Sequence, residues 1–116
     1  MTLIERLEAG KPEEQEALLK EMFAVASLPL SDWASQKEDG RWLYRKVLFN
    51  DRLDCGAYLD AVMLLVPVNH EWSVSWAGNS CAEIAELPDG PSHHGQGETP
   101  AMALAAAILK AKEVQP

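Results

Sequence analysis

Between His70 and Ala77 the chain alternates without a break: Trp72, Val74 and Trp76 fall on one side of an extended segment, Ser73 and Ser75 on the other. A strand of this pattern has an apolar side that must be covered, so the rest of the chain has to supply both a sheet and its cover. Gly78-Asn79 is turn chemistry, Cys81 to Leu87 reads as the return strand with Ile84 opposite the tryptophan strand, and Pro88 stops it. The spacing therefore predicts strands over 71–77 and 81–87.

The cover is easiest to find at the end of the chain. Thr99-Pro100 opens a predicted helix over 100–113, threonine as N-cap and proline at the first helical position. Ala101, Leu104, Ala105 and Ile108 share its inner face, and the alanines at 101, 103, 105, 106, 107 and 111 permit close approach to a sheet or a helix.

Three more helices are legible. Thr2 and Glu5 make a capping box before the apolar Leu3, Ile4 and Leu7, giving a helix over 2–9 that a left-handed Gly10 is expected to end. Pro12, Glu13 and Glu14 suit the first turn of a helix over 13–26, with Ala17, Leu18, Met22 and Val25 inward and Glu16–Lys20 outward as an i,i+4 pair. A helix over 56–66 follows Gly56, with Leu59, Val62, Met63 and Val66 on its buried side and Pro67 as its stop. Residues 28–40 read as a loop anchored by Trp33, residues 41–49 as a third strand in which Trp42, Tyr44 and Leu48 alternate with their neighbours, and residues 89–98 as a loop. The expected fold class is α/β (α+β): about three strands and four helices, a small sheet covered on both faces, in one domain over residues 1–116. With 47% hydrophobic residues the chain is neither disordered nor dependent on disulfides or metal for a core.

Several segments resemble one known family. Met1-Thr2-Leu3-Ile4-Glu5-Arg6-Leu7-Glu8, the Leu59-Asp60-Ala61-Val62 helix leading to Leu65-Val66-Pro67, the Trp72-Ser73-Val74-Ser75-Trp76 strand, and above all Thr99-Pro100-Ala101-Met102-Ala103-Leu104-Ala105-Ala106-Ala107-Ile108-Leu109-Lys110-Ala111 are similar to the phage ABA-sandwich domain family of phages and prophages. Residues 28–50 match poorly, and Asp54-Cys55-Gly56-Ala57-Tyr58 stands where family members commonly carry aromatic-Thr-x-Ser. The resemblance implies a three-layer α/β/α sandwich and a phage or prophage origin. The family has no established activity, so the resemblance transfers no catalytic, cofactor-binding or metal-binding residue.

The residues themselves point the same way. His93-His94, with Asp89 and Glu98, comes nearest to a metal constellation, but adjacent histidines rarely converge on one ion and the four-ligand spacing of structural zinc is missing. His70-Glu71 reads as surface decoration rather than an acid–base pair. Gly95-Gln96-Gly97-Glu98 precedes a helix without being a phosphate loop, and Glu98 places negative charge where a phosphate would sit. Cys55 and Cys81 read as two reduced thiols, buried as small hydrophobes, and Trp72 and Trp76 as core rather than a ligand platform. The expectation is a protein with no enzyme activity, no catalytic residue, no cofactor and no metal.

Charge carries more information. The formal net charge is -8, with residues 1–39 at -5, residues 40–70 at +1 through Arg41, Arg45, Lys46 and Arg52, and residues 71–116 at -4. Such a balance argues against direct nucleic-acid binding. It fits a solvated acidic surface that aids solubility, or, as the sharper reading, an acidic face that docks on an unidentified, basic protein partner by protein–protein contact, with the basic cluster left to meet an acidic partner or a second subunit. The alternatives are an inhibitor that uses its acidic surface against a host nucleic-acid-binding or defence protein, and a small-ligand or nucleotide-binding module built between the last helix, the 88–98 loop and the strands. Glu5, Arg6 and Glu8 interrupt any secretory signal, and the apolar run Ala61–Val66 is far too short to span a bilayer. The expected setting is the cytoplasm, away from membranes, as a monomer or homodimer.

Overall fold

The computed structural model describes residues 2–26, 41–66, 70–75 and 79–114. Among these residues five α-helices and three strands follow in the order α1 (Leu3–Ala9), α2 (Gln15–Ala26), α3 (Arg41–Asp54), α4 (Tyr58–Met63), β1 (His70–Ser75), β2 (Ser80–Glu86), β3 (Ser92–Gly97) and α5 (Pro100–Val114). The loop expected over 28–40, with Trp33, lies outside the described residues, as does Trp76.

The strands form one antiparallel sheet in the order β1-β2-β3. Ile84 stands opposite the tryptophan strand as expected, with Trp72 as its partner there and His93 on the other side. The inward row Trp72, Val74, Ala82 and Ile84 meets α5, which lies across β2 and β3. The outward row is exposed.

Helix α5 explains the layering. Every residue from Ala101 to Leu109 is buried, so the helix has no wet side. A helix apolar around its whole circumference needs cover on both flanks. The sheet supplies one flank, and α1, α2 and α4 supply the other, with α3 packed on α4. The α/β class and the small layered sandwich stand. Their layer order is sheet, α5, outer helices: the described helices do not flank the sheet as α/β/α, because the far side of α5 takes them.

Close approach of β3 to α5 is set by Gly95 and Gly97. A Cβ on Gly95 would fall 2.5 Å from the Ala107 amide nitrogen and nearer still to the Ala103 carbonyl oxygen, and one on Gly97 would fall 3.0 Å from the Ala103 nitrogen. Strand and helix backbones come into close contact there, beside the Ala106 methyl at Gly95 and Met102 Cβ at Gly97, the arrangement that glycine permits in a strand. This is why residues 92–97 are a strand rather than the loop their composition predicts. Register with β2 and the flank of α5 outweigh the weak strand propensity of Gly and His.

Residues 41–49, expected as a strand, belong to α3. Phe49 and Leu53, four apart, are both buried, while Val47, which a strand would place on the same side as Phe49, is 49% exposed. The Phe49 ring meets Phe23 of α2 at 4.7 Å between centroids, tilted by 33°. The helix ends in a Schellman motif: the Ala57 amide donates to the Arg52 carbonyl at 2.8 Å and the Gly56 amide to the Leu53 carbonyl at 3.0 Å, with Gly56 at φ +76°.

The other helices follow their sequence signals with local corrections. Thr2 and Glu5 form the capping box. Gly10 is not left-handed; it is extended at φ -71°, and it is buried because a Cβ would fall 2.6 Å from the Arg6 carbonyl oxygen and 2.9 Å from Met102 Cε. Pro12–Glu14 form a 3-10 turn ahead of α2. Along α2 the buried residues are Leu18, Leu19, Met22 and Phe23, whereas Ala17 and Val25 are exposed, so the inner face is rotated from the predicted one. In the short α4 it is Ala61 and Val62 that are buried, while Met63 is exposed. Arg6 ties α1 to α2 by a bidentate pair with Glu21 at 3.1 and 2.7 Å, and that hydrogen bond, with the carboxylate's charge, raises the guanidinium pKa above its ordinary value.

Candidate functional site

The outer side of the sheet presents exposed polar side chains from all three strands. Three cross-strand rows build it: Glu71–Ala85–Ser92, Ser73–Glu83–His94 and Ser75–Cys81–Gln96. Period-two alternation forces this composition, since the partners of each row point away from α5. All of these residues except Ala85 are exposed. In the middle row His94 Nε2 lies 3.6 Å from Glu83 Oε2, an ion pair when the imidazole is protonated. The surface offers two carboxylates, one imidazole, one thiol and three hydroxyls on adjacent strands.

The strand geometry separates the histidines. His93 points inward, half-buried opposite Ile84, and His94 points outward beside Glu83. Neighbours on a strand diverge to opposite faces, so the two rings do not share an ion. No group of three or more His, Cys, Asp or Glu side chains with metal-binding geometry occurs among the described residues. The same alternation parts His70, half-buried opposite Glu86, from exposed Glu71.

The stretch before α5 has its hydrogen-bonding groups committed. Thr99 Oγ1 accepts the Met102 amide at 3.2 Å and donates to Gln15 Oε1 at 3.0 Å, so the N-cap read from the sequence also joins α5 to α2. The Gln96 amide donates to Glu8 Oε2 at 3.1 Å. Both Gly95 and Gly97 are buried against α5, which is a packing role rather than an anion cradle.

Cys55 and Cys81 are free thiols, and both are exposed, in contrast to the buried setting expected for them. Cys55 lies in the Schellman turn after α3; Cys81 lies on the outer side of β2, where period two puts every odd residue of that strand. Trp72 is half-buried and packed against the core, as its alternation predicts. The basic residues Arg41, Arg45, Lys46 and Arg52 all belong to α3, and Arg52 Nη1 donates to the Asp60 carbonyl of α4 at 3.0 Å. No helix among the described residues is long and apolar enough to cross a membrane. Compared with family models, curated proteins and solved structures, the chain matches none of them.

Proposed function

We propose that this chain is a phage or prophage accessory protein of the cytoplasm that acts without catalysis, through contact with a basic protein partner. The observation that carries the reading is the one-sided sheet: its inner face is filled by α5, while Glu71, Ser73, Ser75, Cys81, Glu83, His94 and Gln96 stand in water on the other. A flat, polar, carboxylate-bearing surface on rigid strands suits recognition of a cationic protein. The net charge of -8 reinforces attraction at a distance and opposes direct binding to nucleic acid. The similarity of the first eight residues, the tryptophan strand and the alanine-dense last helix to the phage ABA-sandwich family supports the proposed origin.

The reading is tested by affinity capture from host lysate with the intact chain and with a double variant, E71R/E83R. A stoichiometric partner should be retained by the intact chain, released as salt rises, and lost from the double variant while that variant keeps its melting temperature. Capture that is indifferent to both salt and the two substitutions overturns the proposal.

A further inference from the structure

The two edges of the sheet are treated differently. On β3, the Gln96 amide is taken by Glu8 Oε2 at 3.1 Å and the His94 carbonyl by Lys110 Nζ at 2.8 Å. Both groups point away from β2, which fixes the alternation through the whole sheet. His93, Gly95 and Gly97 bond to β2, the odd residues of β2 bond to β1, and the N–H and C=O of Trp72 and Val74 point out of the far edge of β1. Among the described residues nothing pairs with those groups at Trp72 and Val74. The strand also lacks the lysine, proline or bulge that commonly blunts an exposed edge.

From this contrast we infer that β1 pairs antiparallel with β1 of a second copy of the chain, across a two-fold axis at Ser73, to give a continuous six-stranded sheet. The occupant is chosen by self-complementarity. With the axis at Ser73, Trp72 stands opposite the partner's Val74 as a hydrogen-bonded pair, so each outward N–H and C=O meets its counterpart. Parity excludes a one-residue slip, because the odd residues of β1 already face β2. The chosen register also joins an aromatic to a β-branched side chain on the α5 side, a favourable cross-strand pair. On the outer side it sets Glu71 opposite the partner's Ser75 and Ser73 opposite the partner's Ser73. An axis at Glu71 would instead bring two carboxylates face to face. The inference does not rest on the protein-contact reading above, since its premise is the open edge of β1.

Opposing lysines provide the test, read by sedimentation equilibrium on the full chain. Ser73 and Ser75 are both exposed, so S73K and S75K leave the protomer core untouched. S73K sets like charges against each other across the axis and should weaken dimerisation by roughly fivefold or more. S75K sets a lysine against the partner's Glu71 and should strengthen it. In a C55S/C81S background, S73C should oxidise to a covalent dimer and S75C should not, because only Ser73 faces its own copy. A chain that stays monomeric at millimolar concentration, a shift of the same sign in both lysine variants, or cross-linking through S75C alone overturns the inference.

Discussion

Lys110 Nζ lies 2.8 Å from Glu8 Oε2, and the two side chains, from α5 and α1, together occupy the outward carbonyl and amide of β3. Their side chains are 34% and 28% exposed, so the pair is only partly screened by solvent. Removing either end leaves one strand group without its side-chain partner and the remaining charge without its counter-ion. K110A and E8A are each expected to lower stability by about 1–2 kcal/mol, with E8Q nearer the parent because an acceptor remains. Urea unfolding monitored by tryptophan fluorescence measures the difference.

Glycine positions separate two kinds of constraint. A Cβ on Gly95 meets helix backbone on two sides, whereas a Cβ on Gly56 meets nothing within 4 Å and suffers only from φ +76°. G56A should therefore cost about 1–2 kcal/mol and leave the fold intact. G95A should cost more than about 3 kcal/mol or abolish folding, because rigid backbone cannot step aside as a side chain does. Circular dichroism melts of the two variants give the order; equal losses would contradict the described contact between β3 and α5.

Residues 47 and 49 decide between helix and strand for the segment that sequence patterning misassigns. In a strand they share a side; in α3 Phe49 is 1% exposed and Val47 49%. F49A is expected to cost about 3–5 kcal/mol, and V47A to stay within about 0.5 kcal/mol of the parent.

Thr99 serves two elements at once, so T99A should cost more than T2A, whose cap is exposed. About 1–2 kcal/mol is expected for T99A, with much of it restored in T99S, which keeps the hydroxyl.

Both thiols should react with maleimide in the native protein, without denaturant, at comparable stoichiometry. Protection of Cys81 would mean that the outer side of the sheet is covered.

What could be read from the chain alone was whatever local chemistry decides. The Thr2–Glu5 box, the Thr99-Pro100 start, the Glu16–Lys20 pair and the pairing of Ile84 with the tryptophan strand each depend on residues a few positions apart or on one hairpin, and each is present. The signals missed were of another kind. Gly95 and Gly97 look like loop residues until α5 is laid across them. In α3 the alternation of Trp42, Tyr44 and Leu48 outweighed better clues: the four-residue step from Phe49 to Leu53, Arg52 in the last turn, and Gly56 just beyond it. The exposed outer side of the sheet departs from the expected cover on both faces, although the odd serines of the tryptophan strand mark it. That no described helix covers it follows from α5 being buried all the way round from Ala101 to Leu109, which the run of alanines conceals because alanine suits either environment.

The helix on which the sheet, α1, α2 and α4 all lean is also the last of them to be made. During synthesis α1 to α4, the hairpin and β3 all leave the ribosome before Ala101 to Leu109 can reach them. Vectorial folding is thus denied to this domain: its earlier parts must wait, loosely held, and condense together once that final stretch is free.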